Sequence, residues 1–392
     1  MADPTLPIPR APRYACLDLG RGVACLLVLI NHAVFYDLPR SASAGSLERL
    51  DLAIAAIAQR LWLGVPIFFV ISGYCISATA DSHRRKGISV HSYFVRRLRR
   101  IFPPYWVVLL TTALVVAVGD VALNGAIVAD GNFLRPWWFS SWQWAGSITL
   151  TEMWRAHLIG GQKALILGHA WTLCYEEQFY VVCGILLLMW PRRYFFAAAV
   201  VTAAVAAVAL TARNLRLPVD GFFFDGSWIQ FALGILLYYA LNYGGGRARA
   251  IAAAAFVLVI VSAASYGSDL LDIHKNASQQ FFVAGLFGLA AFVLRPFDGK
   301  LINQPILGPL RSCGTMCYSL YLVHLPVIDL IHAGLTTTGI NAAALSPFIS
   351  LPLCGGPAIW LAWQFHLFVE RRFMNEPVAA APRLLAESAV AV

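Results

Sequence analysis

Apolar runs of roughly 20 residues, each broken by a few polar positions, recur along nearly the whole chain. A helix needs about that many apolar residues to cross the hydrocarbon core of a bilayer. The pattern predicts ten spans, at 15–36, 62–80, 103–119, 169–190, 194–211, 228–243, 250–266, 279–294, 313–334 and 347–369. The expected fold class is all-α, a polytopic transmembrane helical bundle. The stretch 133–158, which opens "FLRPWWFSSWQW", is too interrupted for a span. Its tryptophans suit the membrane–water interface and leave room for an interfacial or re-entrant helix.

Composition supports the same class. Of 392 residues, 59% are hydrophobic and 12% charged, against about 25% charged in ordinary soluble domains. The N-terminal "MADPTLPIPRAPRYA" lacks the h-region and cleavage site of a signal peptide, so entry through the first span is expected. Eight cysteines fall in or beside apolar runs, with no CxxC pair and no histidine cluster around them. They read as small packing residues, and neither a disulfide framework nor a metal site is expected.

The net charge of +9 invites a nucleic-acid partner until the charges are placed. With the N-terminus inside, 19 of the 29 basic residues fall in inner segments, nine in outer ones, and Arg21 within the first span. That asymmetry is the positive-inside signal. It predicts cytoplasmic termini and a multi-pass protein of the cell inner (plasma) membrane, with the bilayer and not nucleic acid as partner. The expected layout is a cytoplasmic tail (1–14), a membrane domain (15–372) and a second cytoplasmic tail (373–392). No internal repeat or second soluble domain is evident, and oligomeric state is left open.

Against this background the polar residues inside the spans carry the information. A charge at a helix centre costs about 2.5–3.5 kcal/mol on insertion scales, so it is retained for a partner or a function. "LDLGRGVACLLVLINHAVFY" (Leu17–Tyr36) holds Asp18, Arg21, Asn31 and His32. Arg21 and His32 are eleven residues apart, about 20° short of eclipsed on a helix and separated by about 16 Å of rise. Asp18 sits one turn before Arg21 and can pair with it. Arg21 alone has a bland alternative as a snorkelling anchor, and His32 alone as an interhelical hydrogen bond. All three on one face are harder to assign to structure.

A second cluster, "GHAWTLCYEEQFY" (Gly168–Tyr180), puts His169, Glu176 and Tyr180 along one face. Adjacent carboxylates at that depth call for a polar cavity. In "CYSLYLVHLPVIDLIH", His324 falls near mid-membrane one turn after Tyr321. "SYFVRRLRRIFPPYW" (Ser92–Trp106) is a stop-transfer flank whose arginines, Arg97 and Arg100 among them, can also grip an anionic group.

Together these stretches resemble the acyltransferase 3 family of integral membrane O-acyltransferases. The family's D-x-x-R-G followed by a histidine is matched by Asp18, Arg21, Gly22 and His32; its second-helix motif by "GVPIFFVISGYCIS", with Ser72 and Gly73; its basic stretch by "RRLRRIFPPYW". "WTLCYEEQFY" is similar to W-S-L-x-x-E-E-Q-F-Y, and "YSLYLVHLP" to the late histidine motif. The departures are "LDLGRG" for the commoner Leu-Gly order and Thr172 for the usual serine. Some relatives carry an extracytoplasmic hydrolase-like domain, which this chain is expected to lack.

The resemblance implies an O-acetyltransferase that moves an acyl group, commonly acetyl, from cytoplasmic acyl-CoA to a hydroxyl of a glycan or lipid-linked sugar at the outer face. Arg21, Arg97, Arg100 and Ser72 are the expected donor-binding residues, and His32, Glu176 and His324 the expected catalytic ones. In that scheme neutral His32 is a general base, Glu176 orients the imidazole or stabilises its charge, and Arg21 positions the donor. A covalent acyl-histidine relay is the competing mechanism. The rival class is a secondary transporter or flippase using the same polar residues to bind solute or relay protons.

Overall fold

The computed structural model describes residues 14–34, 46–129, 133–217, 221, 223, 226–265 and 277–374. The two expected tails lie outside these residues except for Tyr14, Phe373 and Met374, as do positions 35, 36 and 266 of the expected spans. All regular secondary structure among the described residues is helical. The chain forms α1 (Cys16–Ala33), α2 (Ser46–Ala58), α3 (Gly64–Lys86) and α4 (Val90–Ala122). Two short helices follow, α5 (Ser141–Ile148) and α6 (Glu152–Leu158), then α7 (Trp171–Met189) and α8 (Tyr194–Asn214). The remainder comprises α9 (Ser227–Asn242), α10 (Gly246–Ala264), α11 (Ala277–Leu294), α12 (Gly308–Thr315), α13 (Cys317–Thr337) and α14 (Pro347–Phe368).

Among the described residues, nine helices are long and apolar enough to cross a membrane. The tenth expected span is α9, whose 16 residues cover only about 24 Å at 1.5 Å per residue. It starts after Gly226, held at φ 114°, and closes at Tyr243. α9 is nonetheless an inner helix. A Cβ on Gly73 of α3 would run into the Phe231 carbonyl of α9, and one on Gly234 into the Val70 carbonyl of α3. The absence of both Cβ atoms lets the two backbones touch, as small residues do in membrane helix pairs.

α4 departs from expectation more informatively. Its 33 residues start at Val90, capped by Ser89, so the basic stretch before the third span is helical and continuous with it. Arg97 and Arg100 are therefore three residues apart on one rigid helix face. The tryptophan-rich stretch 133–158 does not cross. It forms α5 and α6, closed by a buried ion pair between Arg155 and Glu152 at 2.7 Å, with Trp138 and Trp142 exposed.

Long-range contacts gather the basic helix ends at one end of the bundle. Asp298 caps the start of α1 by accepting from the Cys16 and Ala15 amides, and it pairs with Arg295. At the end of α3, buried Asp81 pairs with Arg84 and Arg85 and accepts from the hydroxyls of Tyr238 and Tyr243. Four donors on one carboxylate are what a buried charge requires. The end of α14 joins the start of α13 through Glu370, which accepts from Ser319.

Layering follows from burial. More than half of the α7 apolar window is buried, 56%, against 17% for α8 and for α10. α8 and α10 thus form the lipid-facing outside, and α1, α3, α7 and α13 enclose the centre.

Candidate active site

A cavity of about 790 Å³ opens between these central helices. Arg21, His32, Ser72, Arg97, Arg100 and Glu176 all line it. α1 is unbroken from Cys16 to Ala33, so Arg21 and His32, about 16 Å apart along it, face the same space. His324 stands behind His32, with Nδ1 of His32 3.0 Å from Nε2 of His324 and the rings stacked at 5.2 Å. The structure therefore brings all seven expected site residues to one cavity or its wall.

Backbone carbonyls at His324 set the tautomers of both imidazoles. His324 Nδ1 lies 2.9 Å from the Leu320 carbonyl and 2.8 Å from that of Tyr321. A carbonyl only accepts, so this nitrogen carries the hydrogen and Nε2 of neutral His324 is left as the acceptor. Its neighbour across 3.0 Å, His32 Nδ1, must then be the donor. The basic lone pair of His32 is consequently on Nε2. A second imidazole here does what the carboxylate does in a serine hydrolase triad, holding tautomer and ring orientation.

Glu176 is held by two hydroxyls. Its carboxylate accepts from the Ser72 hydroxyl and, at 3.1 Å, from that of Tyr180. It thus braces α3 against α7, while the imidazole of His32 is oriented by His324. Ser72, expected to meet the donor, spends its proton on this carboxylate.

The other end of the cavity is cationic. Arg21 donates to Asp18 at 2.5 Å and to the Cys75 sulfur at 2.8 Å. Arg97 donates to Thr79 at 3.3 Å, and its guanidinium lies 4.8 Å from the Tyr180 ring centroid. Arg100 lines the same wall and makes no hydrogen bond among the described residues. Three guanidinium groups therefore converge, with Asp18 the one acid in an ion pair with any of them among the described residues. Glu370 also reaches the lining, but it is held by Ser319 at 2.5 Å and His366 at 2.7 Å. Such a wall suits a polyanion bound through charge-assisted, forked contacts.

Sequence reasoning missed several lining residues. Cys75, less than one turn after Ser72 on α3, reads in the sequence only as a packing residue. Trp62 and Gln280 carried no signal of their own. His169 is conspicuous in the sequence by its spacing from Glu176. It stands in the short 3-10 turn Gly168–Ala170 before α7, its ring 5.1 Å from that of His324.

A family model described as an acyltransferase domain matches residues 14–367. A protein of Staphylococcus aureus strain COL named "Putative O-acetyltransferase" is 25% identical over 348 residues, covering 81% of this chain and 54% of that protein. The Komagataeibacter xylinus protein named "Putative membrane-bound transacylase BcsY" is 27% identical over 319 residues, covering 75% of this chain and 74% of its own. "Peptidoglycan O-acetyltransferase OatA" of Listeria monocytogenes is 23% identical over 313 residues, 69% of this chain and 45% of that protein. The chain spans about half the length of the Staphylococcus aureus relatives it matches. No solved structure matches it. With the family model covering the chain from just before α1 into α14, the protein belongs to the acyltransferase 3 family of membrane proteins.

Proposed function

We propose that the protein is a plasma-membrane O-acyltransferase. It moves an acyl group, acetyl in the first instance, from acyl-CoA on the cytoplasmic side to a hydroxyl of a glycan or lipid-linked sugar on the other. The observation that carries this reading is the tautomer-locked His32–His324 pair, set about 16 Å along one helix face from Arg21 in a shared cavity. The names of the relatives support acetyl as the group and a cell-surface glycan as the acceptor.

In this mechanism Arg21, Arg97 and Arg100 bind the nucleotide phosphates of the donor, and the pantetheine arm runs along α1 toward His32. The acceptor hydroxyl gives its proton to Nε2 of His32 as its oxygen bonds to the thioester carbon. The carbon–sulfur bond then breaks, and the thiolate leaving group takes that proton from His32. Nδ1–H of the transient imidazolium stays bonded to His324, so the charge forms without reorganisation. His32 is regenerated neutral, and the products are an ester and free coenzyme A.

The deciding experiment supplies purified protein in lipid vesicles with radiolabelled acetyl-CoA and polysaccharide from the producing cell. Label in the polysaccharide together with stoichiometric free thiol is the expected result. Solute movement across the vesicle without thiol release would instead identify a transporter.

A further inference from the structure

The cavity changes character along its length. Ile71 of α3 and Phe287 of α11 both lie against Gly20 of α1. The residue after Ile71, Ser72, holds Glu176, so that acid stands level with Arg21. At the His32 end, among the described residues, Asn31, Thr172 and Gln280 line the wall and no acid, lysine or arginine does.

Two neutral amides approach each other there. α11 runs antiparallel to α1, since Tyr14, just before α1, bonds the Ala291 carbonyl near the end of α11. Gln280 precedes Phe287 by two turns, or about 10 Å, which puts it level with Leu27 and Val28 and about one turn short of Asn31. Gly20 and Asn31 are as far apart in sequence as Arg21 and His32 are. Asn31 therefore stands on the strip of α1 that faces α11, about 100° round from the strip along which the donor runs.

Each amide is fixed on one side and open on the other. Asn31 donates to the Ala58 carbonyl at 2.9 Å. A carbonyl only accepts, so the Asn31 nitrogen is spent there and Oδ1 is left as an acceptor. Gln230 of α9, 2% exposed and so only an anchor, donates to Oε1 of Gln280 at 2.7 Å, which leaves the Gln280 nitrogen as a donor. Oδ1 of Asn31 and Nε2 of Gln280 have no partner among the described residues, and both are accessible atoms of half-buried side chains that line the cavity.

That pairing of functions selects the ligand. A thioester carbonyl or a phosphate only accepts, and matches the Gln280 nitrogen alone. A hydroxyl both donates and accepts, so a ring bearing several hydroxyls matches both atoms. Trp171, half-buried in the same wall, adds flat apolar surface for the face of such a ring. A pantetheine amide carries the same two functions, but the donor track lies on the other strip of α1.

We propose that the Gln280 and Asn31 amides bind the acceptor beside His32, and that the acceptor unit there is an uncharged ring bearing several hydroxyls. What the bound hydroxyl then does rests on the acyltransfer reading; the binding itself does not require transfer.

The variants are read with polysaccharide from the producing cell as acceptor. Gln280→Leu removes the donor at similar volume and should raise acceptor KM about five- to tenfold, with acetyl-CoA affinity unchanged. Gln280→Glu offers an oxygen to which hydroxyls can donate, and should recover part of that loss. Gln230→Leu breaks the same bond between α9 and α11 but takes no group from the cavity, so its KM should rise far less. Asn31→Asp keeps the accepting oxygen, and its KM should lie below that of Asn31→Leu. Equal KM for the Gln280→Leu and Gln230→Leu proteins makes the glutamine pair a helix clasp and overturns the proposal. So does weakened acetyl-CoA binding, which assigns the amides to pantetheine, or a Gln280→Glu protein no better than Gln280→Leu. Tryptophan fluorescence titration with the same polysaccharide, without donor, separates this inference from the acyltransfer reading. Binding lost in Gln280→Leu, with no acyl transfer by the wild type, keeps this inference and removes that reading. Transfer by the wild type with unaltered binding by Gln280→Leu does the reverse.

Discussion

Nδ1 of His32 lies 3.0 Å from Nε2 of His324, across 292 residues of sequence. Because the Leu320 and Tyr321 carbonyls hold the hydrogen of His324 on its Nδ1, the proton-accepting atom of the pair is Nε2 of His32. A positioned general base contributes about 10²–10⁴-fold in rate. His32→Ala is therefore expected to lose at least that factor in thiol release, while still inserting, staying monodisperse and binding coenzyme A. His32→Gln preserves hydrogen bonding but takes up no proton near neutral pH, so it should fail equally. Near-normal turnover by His32→Gln would leave the imidazole a packing group.

In the proposed mechanism His324 acts on His32 and not on substrate, which gives its variants a distinct ranking. His324→Gln presents an amide oxygen to Nδ1–H of His32, whereas His324→Leu leaves that hydrogen unmatched in the wall. One orienting hydrogen bond contributes about 1 kcal/mol, so kcat of His324→Gln is expected to exceed that of His324→Leu by about five- to tenfold. Donor affinity should be equal in both. Equal kcat values would show that tautomer control is not what His324 supplies.

At the other end of the cavity, Arg21 is the test of donor binding. Hydrogen bonds to charged groups contribute about 1.5–3 kcal/mol, which corresponds to roughly ten- to hundredfold weaker acetyl-CoA binding in Arg21→Ala. Lysine keeps the charge but loses the fork, and should recover only part. Since Asp18 is the ion-pair partner of Arg21 at 2.5 Å, the double variant Asp18→Asn/Arg21→Ala controls for an acid left unpaired. Unchanged donor affinity in that double variant reduces Arg21 to an anchor.

How much of this was legible beforehand depends on which kind of contact is asked about. Periodicity gave the shared face of Arg21 and His32, because one unbroken helix carries both. It also flagged Glu176 and His324, since an ionisable residue in an apolar run is conspicuous by itself. Periodicity reports the face of a residue and not what that face meets. So the pairing of His32 with His324, and of Glu176 with Ser72 across 104 residues, came only from the packing of separate helices. The shortness of α9 was hidden for a related reason: its apolar run is clear, but its role depends on the glycine contact with α3.

That contact predicts a stability effect with a built-in control. A Cβ on Gly73 meets backbone of α9, namely the Phe231 carbonyl and the Gly234 Cα, so no side-chain rotation relieves it. Gly73→Ala is expected to cost at least about 1–3 kcal/mol, the usual range for overpacking, and to lower the thermal unfolding midpoint in detergent. A Cβ on Gly356 meets nothing within 4 Å, and Gly356→Ala should match the wild type. Equal midpoints for both variants would mean that α3 and α9 tolerate separation.

The side from which the donor arrives is the remaining consequence of the charge pattern. The described basic helix ends, including Arg84–Lys86 and Arg97–Arg100, share one end of the bundle, where Asp81 and Asp298 tie the helices together. α13 runs from that end, so Ile340, 45% exposed just beyond it, marks the opposite one. Lys86 is exposed at the basic end. With the eight native cysteines replaced, Lys86→Cys in intact cells is expected to react only with a membrane-permeant maleimide. Ile340→Cys should react with an impermeant one as well. The positive-inside rule is a statement about insertion, and it is independent of the histidine chemistry. Labelling with the opposite sidedness would therefore leave the His32–His324 pair intact but put Arg21, Arg97 and Arg100 on the side that has no acyl-CoA.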